Sequence, residues 1–205
     1  MELIAAEGVV DDAVLKALAA TDRARYVPED ALDIAYLDRP VPIPEGQTTS
    51  QPSLIARMVA AARPPEGGRV LEVGTGYGYQ TAVLARLVGE RGRVWSIERF
   101  ETLARRARVN LAADGVTNAE VVVGDGRLGY PQGAPYDAIV VSAAAAEVPP
   151  ALAEQLSEGG ALVIPLRRAG SDDVWVYVKR AGRLEAERLL TPARFVPLVP
   201  GEQAR

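Results

Sequence analysis

The 205-residue chain contains neither cysteine nor histidine. Without cysteine there is no disulfide framework and no thiolate nucleophile. Without histidine there is no Ser-His-Asp or Cys-His catalysis, no His-ligated zinc and no histidine general base. Chemistry is left to carboxylates, hydroxyls and backbone groups. Lysine occurs only at Lys16 and Lys179 and asparagine only at Asn110 and Asn118, so arginine supplies nearly all the positive charge. That usage fits a GC-rich genome and a hot habitat equally. No apolar run reaches the ~18 residues a membrane span requires. The start Met1-Glu-Leu-Ile4 lacks the basic region of a signal peptide. A cytoplasmic protein without a membrane partner is expected. A net charge of -4 with no clustered basic run argues against nucleic acid as a partner.

Hydrophobic residues at 48% and charged residues at 24% match ordinary soluble globular chains. The length suits one domain, 1–205, with a single core. From Asp11 to Asp22 the apolar positions Val14, Leu15, Leu18 and Ala19 recur at helical spacing. Tyr26 to Pro44 is proline-punctuated and reads as irregular, leading to Gly46-Gln-Thr-Thr-Ser-Gln-Pro52. A second helix with a face of Leu54, Ile55, Met58 and Val59 should begin at Pro52, whose missing N–H costs nothing in a first turn.

Past Arg69 the pattern alternates. Strand-like Val70–Val73, Val94–Ile97, Val121–Val123 and Ala138–Val141 are interleaved with helical Tyr79–Val88 and Glu101–Ala112. Strands alternating with helices argue for βαβ units and a parallel sheet with helices on both faces. Ala161–Pro165, Val174–Val178 and a stretch near Leu189–Val196 follow, the last two forming an antiparallel pair around Gly182. The expected fold is therefore α/β, a doubly wound, mostly parallel sheet with a terminal antiparallel strand pair. Residues 1–60 would form an N-terminal helical cap and a substrate and cofactor loop, and residues 61–205 the cofactor-binding core.

Strand Val70-Leu-Glu-Val73 runs directly into Gly74-Thr-Gly76-Tyr-Gly78, with a helix starting near Tyr79. Glycine allows a tight turn and close approach to a ligand, and free N–H groups at the helix start face an anionic group. Tyr79 stands where a dinucleotide loop needs its third glycine, which weakens a nicotinamide reading. The alternative is a tight strand-to-helix turn with no ligand. Position favours a ligand. Glu98 ends the second strand, and Asp125, in Gly124-Asp-Gly126, follows the third. Neighbouring strands about 4.8 Å apart would bring the loop, Glu98 and Asp125 to one rim of the sheet. Glu98 is placed to accept from both ribose hydroxyls and Asp125 from an adenine amino group. The set Gly74, Thr75, Gly76, Gly78, Tyr79, Glu98, Asp125 and Gly126 fits S-adenosylmethionine, its carboxylate at the glycine loop.

Six segments, Gly46–Pro52, Glu72–Gln80, Gly124-Asp-Gly126, Ala134–Ile139, Gln155–Gly160 and Arg194-Phe-Val-Pro-Leu198, resemble the motifs of the protein-L-isoaspartate O-methyltransferases, in family order and over nearly the whole chain. The glycine loop is common to many methyltransferases, whereas Gln47-Thr-Thr-Ser-Gln-Pro52 and Arg194–Leu198 are much more specific. The resemblance implies a fold of the S-adenosylmethionine-dependent methyltransferase type, with Ser50 as the active-site hydroxyl. It also implies that Thr48, Thr49 and Gln51 lie over the methionine portion of the cofactor, and that Val196 offers backbone to an isoaspartyl peptide. An ordinary N-cap serine and an apolar edge strand are the plainer readings of Ser50 and of Arg194–Leu198. The family usually has isoleucine where Thr49 stands, so this pocket should be more polar. An Asn/Asp-Pro-Pro-aromatic motif, frequent in DNA and RNA amino-methyltransferases, is absent after the fourth strand.

The implied reaction is in-line transfer of a methyl group to the α-carboxylate of an L-isoaspartyl residue, with no metal. A free α-carboxyl titrates near ~3.5, so the nucleophile is already ionised at neutral pH and needs no general base. A chain without histidine can do this by positioning alone. Partners would be proteins and peptides carrying L-isoaspartyl residues, and a monomer is expected. A carboxyl methyltransferase acting on aspartate of a small peptide, and a non-catalytic isoaspartate-binding adaptor, are the other readings.

Overall fold

A computed structural model describes residues 12–201; the expected helix start at Asp11 and the first residues of the chain lie outside them. Helix α1 (Asp12–Ala19) buries Val14, Ala17 and Leu18. Its buried stripe is thus turned slightly from the expected one, with Leu15 half-buried and Ala19 exposed. The stretch read as irregular is more ordered than its prolines suggested. Two 3-10 turns, Arg23–Tyr26 and Glu29–Ile34, are followed by an antiparallel hairpin of β1 (Val41–Ile43) and β2 (Gln47–Thr49). Pro42 obscures β1 in the sequence, yet a two-stranded ribbon has free edges where a missing N–H is tolerated. Helix α2 (Pro52–Ala62) buries Ile55, Met58 and Val59 as expected, while Leu54 is half-buried.

The main sheet takes β3 (Arg69–Val73), β4 (Arg93–Glu98), β5 (Ala119–Val123), β6 (Tyr136–Val141), β7 (Leu156–Arg167), β8 (Asp172–Arg180) and β9 (Arg183–Ala193). Their order is β5-β4-β3-β6-β7-β8-β9. The first five are parallel, and β8 lies antiparallel to both β7 and β9. Helix α3 (Tyr79–Val88) connects β3 to β4, α4 (Glu101–Ala113) connects β4 to β5, and the short α5 (Pro150–Gln155) precedes β7.

Alternate residues of each strand enter different cores. Val70, Val94, Ala138 and Val163 pack with α1 to α4 on one face. Leu71, Trp95, Ile139 and Leu162 pack with Leu152 of α5 on the other. The two-residue period of a strand produces this division. Among the described residues the second face carries α5 and 3-10 turns at Gly126–Leu128 and Pro131–Gly133, and no helix longer than these.

Chain order runs outward from β3 through β4 to β5, then returns to place β6 on the other side of β3. Crevices outside the carboxyl ends of strands at such a reversal are where open α/β sheets bind ligands. Beyond β9 the chain leaves the sheet. Ala144 N donates to Val196 O and Leu198 N to Ala144 O, both at 2.8 Å, and Gly201 N donates to Asp125 Oδ2 at 2.9 Å. Residues 196–201 therefore run as a strap past the ends of β6 and β5.

Candidate active site

A cleft opens at the reversal between β3 and β6. Its floor is the turn after β3. Gly74 N donates to Ile97 O, and Ser142 N, just past β6, donates to Val73 O, both at 2.8 Å. These bonds continue the ladders one residue beyond the strands and hold the turn to both neighbours. Tyr79, Gln80 and Thr81 form the first turn of α3, where N–H groups have no intrahelical partner and suit an anion.

Beneath the turn lies Glu72, fully buried. It accepts from Gln80 Nε2 at 2.9 Å, from Ser96 Oγ at 2.6 Å and from the Thr81 hydroxyl. Ser96 also meets Thr75 Oγ1 at 2.6 Å. When Glu72 is ionised it accepts from the Ser96 hydroxyl and Thr75 then donates to Ser96, so the carboxylate orients a hydroxyl of the glycine turn through one relay. Burial pushes Glu72 up to about 7, against the pull of its three donors.

Glu98 closes β4 at the same rim and is 5% exposed. Its Oε2 accepts from Gly76 N at 2.9 Å and its Oε1 from Phe100 N at 3.1 Å. Each carboxylate oxygen accepts more than one hydrogen bond, so Glu98, which lines the cleft, retains capacity toward it. Burial raises its pKa, opposed by these backbone donors. Tyr79 walls the cleft as a phenol, which burial pushes up to about 12.

The opposite wall is β2 and the residues before α2. Thr48, Thr49 and Ser50 all face the cleft. Ser50 is not an N-cap, since Gln51 holds that position and makes no side-chain cap bond. Asp38 caps the helix instead, accepting from Ser53 N at 2.8 Å. Among the described residues no hydrogen bond claims the Ser50 hydroxyl, which leaves it available to a ligand. Val196 enters the cleft from the C-terminal strap together with Pro197, Leu198 and Val199.

Ten of the residues singled out in the sequence thus meet in one cleft: Thr48, Thr49, Ser50, Gly74, Thr75, Gly76, Tyr79, Glu98, Gly126 and Val196. Three stand beside it. Gln51 turns its amide to Ser53 Oγ at 3.1 Å. Gly78, at φ 95°, lets α4 approach: a Cβ there would sit 3.3 Å from Leu111 Cγ. Asp125 is committed to Arg127, whose N, Nε and guanidinium donate to it, and to Gly201 N. Arg127 beside it holds its carboxyl down to about 2. The lining also includes Ile43, Ser142 and Arg99, which sequence reading did not single out. Ser142 accepts from Gln80 Nε2 at 3.0 Å, a position that only the β3–β6 pairing creates.

The sequence model of the protein-L-isoaspartate(D-aspartate) O-methyltransferase family matches residues 1–203. A curated protein-L-isoaspartate O-methyltransferase of Anaeromyxobacter dehalogenans is 52% identical over 194 residues, which cover 93% of this chain and 91% of the relative. A solved protein-L-isoaspartate O-methyltransferase shares 32% identity with a TM-score of 0.87 over 95% of this chain, which spans 63% of that longer protein. A Plasmodium falciparum structure described as a protein-L-isoaspartate O-methyltransferase in complex with S-adenosyl-L-homocysteine shares 27% identity, with a TM-score of 0.83 over 97% of this chain and 95% of its own. On a family match that runs from residue 1 to residue 203, the chain belongs to the protein-L-isoaspartate(D-aspartate) O-methyltransferases.

Proposed function

We propose that this chain transfers the methyl group of S-adenosylmethionine to the α-carboxylate of L-isoaspartyl residues in damaged proteins and peptides, starting a repair that passes through a succinimide. One observation carries the reading: the Ser50 hydroxyl, unclaimed among the described residues, shares a cleft with the Gly74–Gly76 turn and the buried Glu98. The donor set fits the cofactor. Glu98 keeps acceptor capacity for ribose hydroxyls, and the α3 first turn suits the methionine carboxylate. Asp125 would serve the adenine amino group at the rim, sharing its oxygens with Arg127 and Gly201.

The bound cofactor supplies an electrophilic sulfonium methyl. The chain's own residues supply position. Ser50 would donate to one oxygen of the acceptor carboxylate while Thr48, Thr49 and Gln51 hold the loop over the cofactor. Val196 would offer backbone to the peptide from the strap. No residue needs to remove a proton, because the acceptor arrives ionised. We read the enzyme as a cytoplasmic monomer with neither nucleic-acid nor membrane partner. The net charge of -4 supports the exclusion of nucleic acid.

Incubation with the methyl donor and an isoaspartyl peptide, followed by mass spectrometry, should reveal a base-labile methyl ester on that peptide and not on its aspartyl twin. Methylation of the aspartyl peptide alone would favour the small-peptide carboxyl methyltransferase. Binding without any ester would favour the adaptor.

A further inference from the structure

Arg23 is an unusual arginine. It is 2% exposed and forms no ion pair with a carboxylate among the described residues. Its guanidinium is spent on backbone carbonyls. Nη1 donates to Ala35 O at 2.7 Å and Leu37 O at 3.1 Å, and Nη2 to Arg39 O at 3.1 Å and Ser50 O at 3.0 Å. Of its five donors only Nε–H has no partner among the described residues. Three of the carbonyls belong to one irregular turn, residues 35–39, and the fourth belongs to the residue whose hydroxyl faces the cleft. Burying a cation is costly, and burial duly lowers the pKa of Arg23. A neutral donor could satisfy one or two of these carbonyls, but only the flat guanidinium fork reaches four.

From the geometry we propose that Arg23 is a positioning residue for methyl transfer, fixing the Ser50 carbonyl and with it the loop Gln47–Gln51 against the cleft. The turn it gathers acts a second time, because Asp38 within that turn accepts from Ser53 N and holds the start of α2 directly after Ser50. The guanidinium also lies 5.8 Å from the Tyr79 ring centroid, so it backs both walls of the cleft at one corner. Arg23 itself has no arm left for a ligand at Nη1 or Nη2. It acts through the loop, and a displacement of about 1 Å in a reacting group can cost on the order of a hundredfold in rate. This inference rests on the reading of Ser50 as the acceptor-side hydroxyl.

The test compares the parent enzyme with Arg23→Lys and Ser50→Ala. It measures kcat and KM for an isoaspartyl peptide and calorimetric binding of S-adenosylhomocysteine. Turnover is counted per cofactor-binding site, so that a smaller folded fraction does not register as lost catalysis. Arg23→Lys should lower kcat/KM roughly ten- to a hundredfold while the S-adenosylhomocysteine Kd weakens by a much smaller factor, the loop residues Thr48, Thr49 and Gln51 lying over the cofactor. Parental kcat/KM per site, or a Kd that weakens in step with kcat/KM, would overturn the role. Parental turnover in Ser50→Ala would defeat the Ser50 assignment separately, whatever Arg23→Lys does. Should Arg23→Lys not fold, Asp38→Asn and Asp38→Ala on the exposed turn carry the test. Asp38→Asn keeps an oxygen that can accept from Ser53 N and should stay near the parental kcat/KM per site, whereas Asp38→Ala removes it and should fall several-fold; an unchanged value in Asp38→Ala would overturn the proposal.

Discussion

Gln80 hangs from Glu72: its Nε2 donates to the buried carboxylate at 2.9 Å and, with its other hydrogen, to Ser142 Oγ at 3.0 Å. The carboxylate thereby fixes the first turn of α3 and, through Ser96 and Thr75, the glycine turn itself. This order has a pH signature. Burial raises Glu72 from 4.5 to about 7 in the folded protein, so between those values the folded state holds a proton that the unfolded chain has released. Stability from this group is greatest at the acid end and declines as pH rises through the window, by on the order of 3 kcal/mol at most. Denaturant titrations from pH 4.5 to 8 should show the parent losing stability relative to Glu72→Gln. Parallel curves would mean that Glu72 does not titrate there.

Ser50→Ala removes a hydroxyl that no group among the described residues uses. Stability should hardly change, and cofactor affinity should stay within about twofold. Turnover of an isoaspartyl peptide should fall, because a hydrogen bond to a charged oxygen is worth about 1.5 to 3 kcal/mol, roughly ten- to a hundredfold. Steady-state kinetics with a range of peptide concentrations decide it. Parental kcat/KM would take Ser50 out of the site.

Local patterns carried much of the fold and half of the site. Helix α3 has the bounds its sequence pattern indicates, and β3 to β6 differ by one or two residues at their ends, because strand alternation and helix periodicity are local properties. The glycine turn and Glu98 were legible for the same reason: both sit at strand ends. β9 was not. It begins at Arg183, several residues before the apolar stretch near Leu189, because its outer residues are largely exposed and show no alternation. The same apolar stretch ends outside the sheet, where Val196 turns to the cleft. Arg23 and Ser142 were invisible because their partners are far along the chain, backbone carbonyls for Arg23 and the Gln80 side chain for Ser142. The carbonyls of residues 35, 37, 39 and 50 leave no mark on the sequence around Arg23. Asp125 was legible as a rim residue, but its engagement by Arg127 and Gly201 depends on the path of the strap.

Glu98→Ala should weaken binding of S-adenosylhomocysteine by about 1.5 to 3 kcal/mol, the worth of a hydrogen-bonded charge. Part of that loss would be indirect, since the carboxylate also holds Gly76 N and Phe100 N. Glu98→Gln keeps one carbonyl oxygen and should recover some affinity. Calorimetry on the three proteins separates these contributions. Equal affinity in all three would remove Glu98 from the cofactor site.

Gly126 lines the cleft with no side chain, and the reason lies behind it: a Cβ there would stand 2.2 Å from Val73 Cγ1. Val73 is 2% exposed at the end of β3, immediately before the glycine turn, so it has little room to retreat. Gly126→Ala should therefore cost about 1 to 3 kcal/mol of stability by overpacking. It should also weaken cofactor binding, because either the Asp125 turn or the end of β3 must move. Shortening the neighbour discriminates a clash from a simple loss of backbone freedom. Val73→Ala on its own removes buried methyl groups and should destabilise. Combined with Gly126→Ala it should cost much less than the two single effects together, since the new methyl occupies the space vacated. Denaturant midpoints for the four proteins form a double-mutant cycle, and additive losses would show that Val73 is not what keeps position 126 bare.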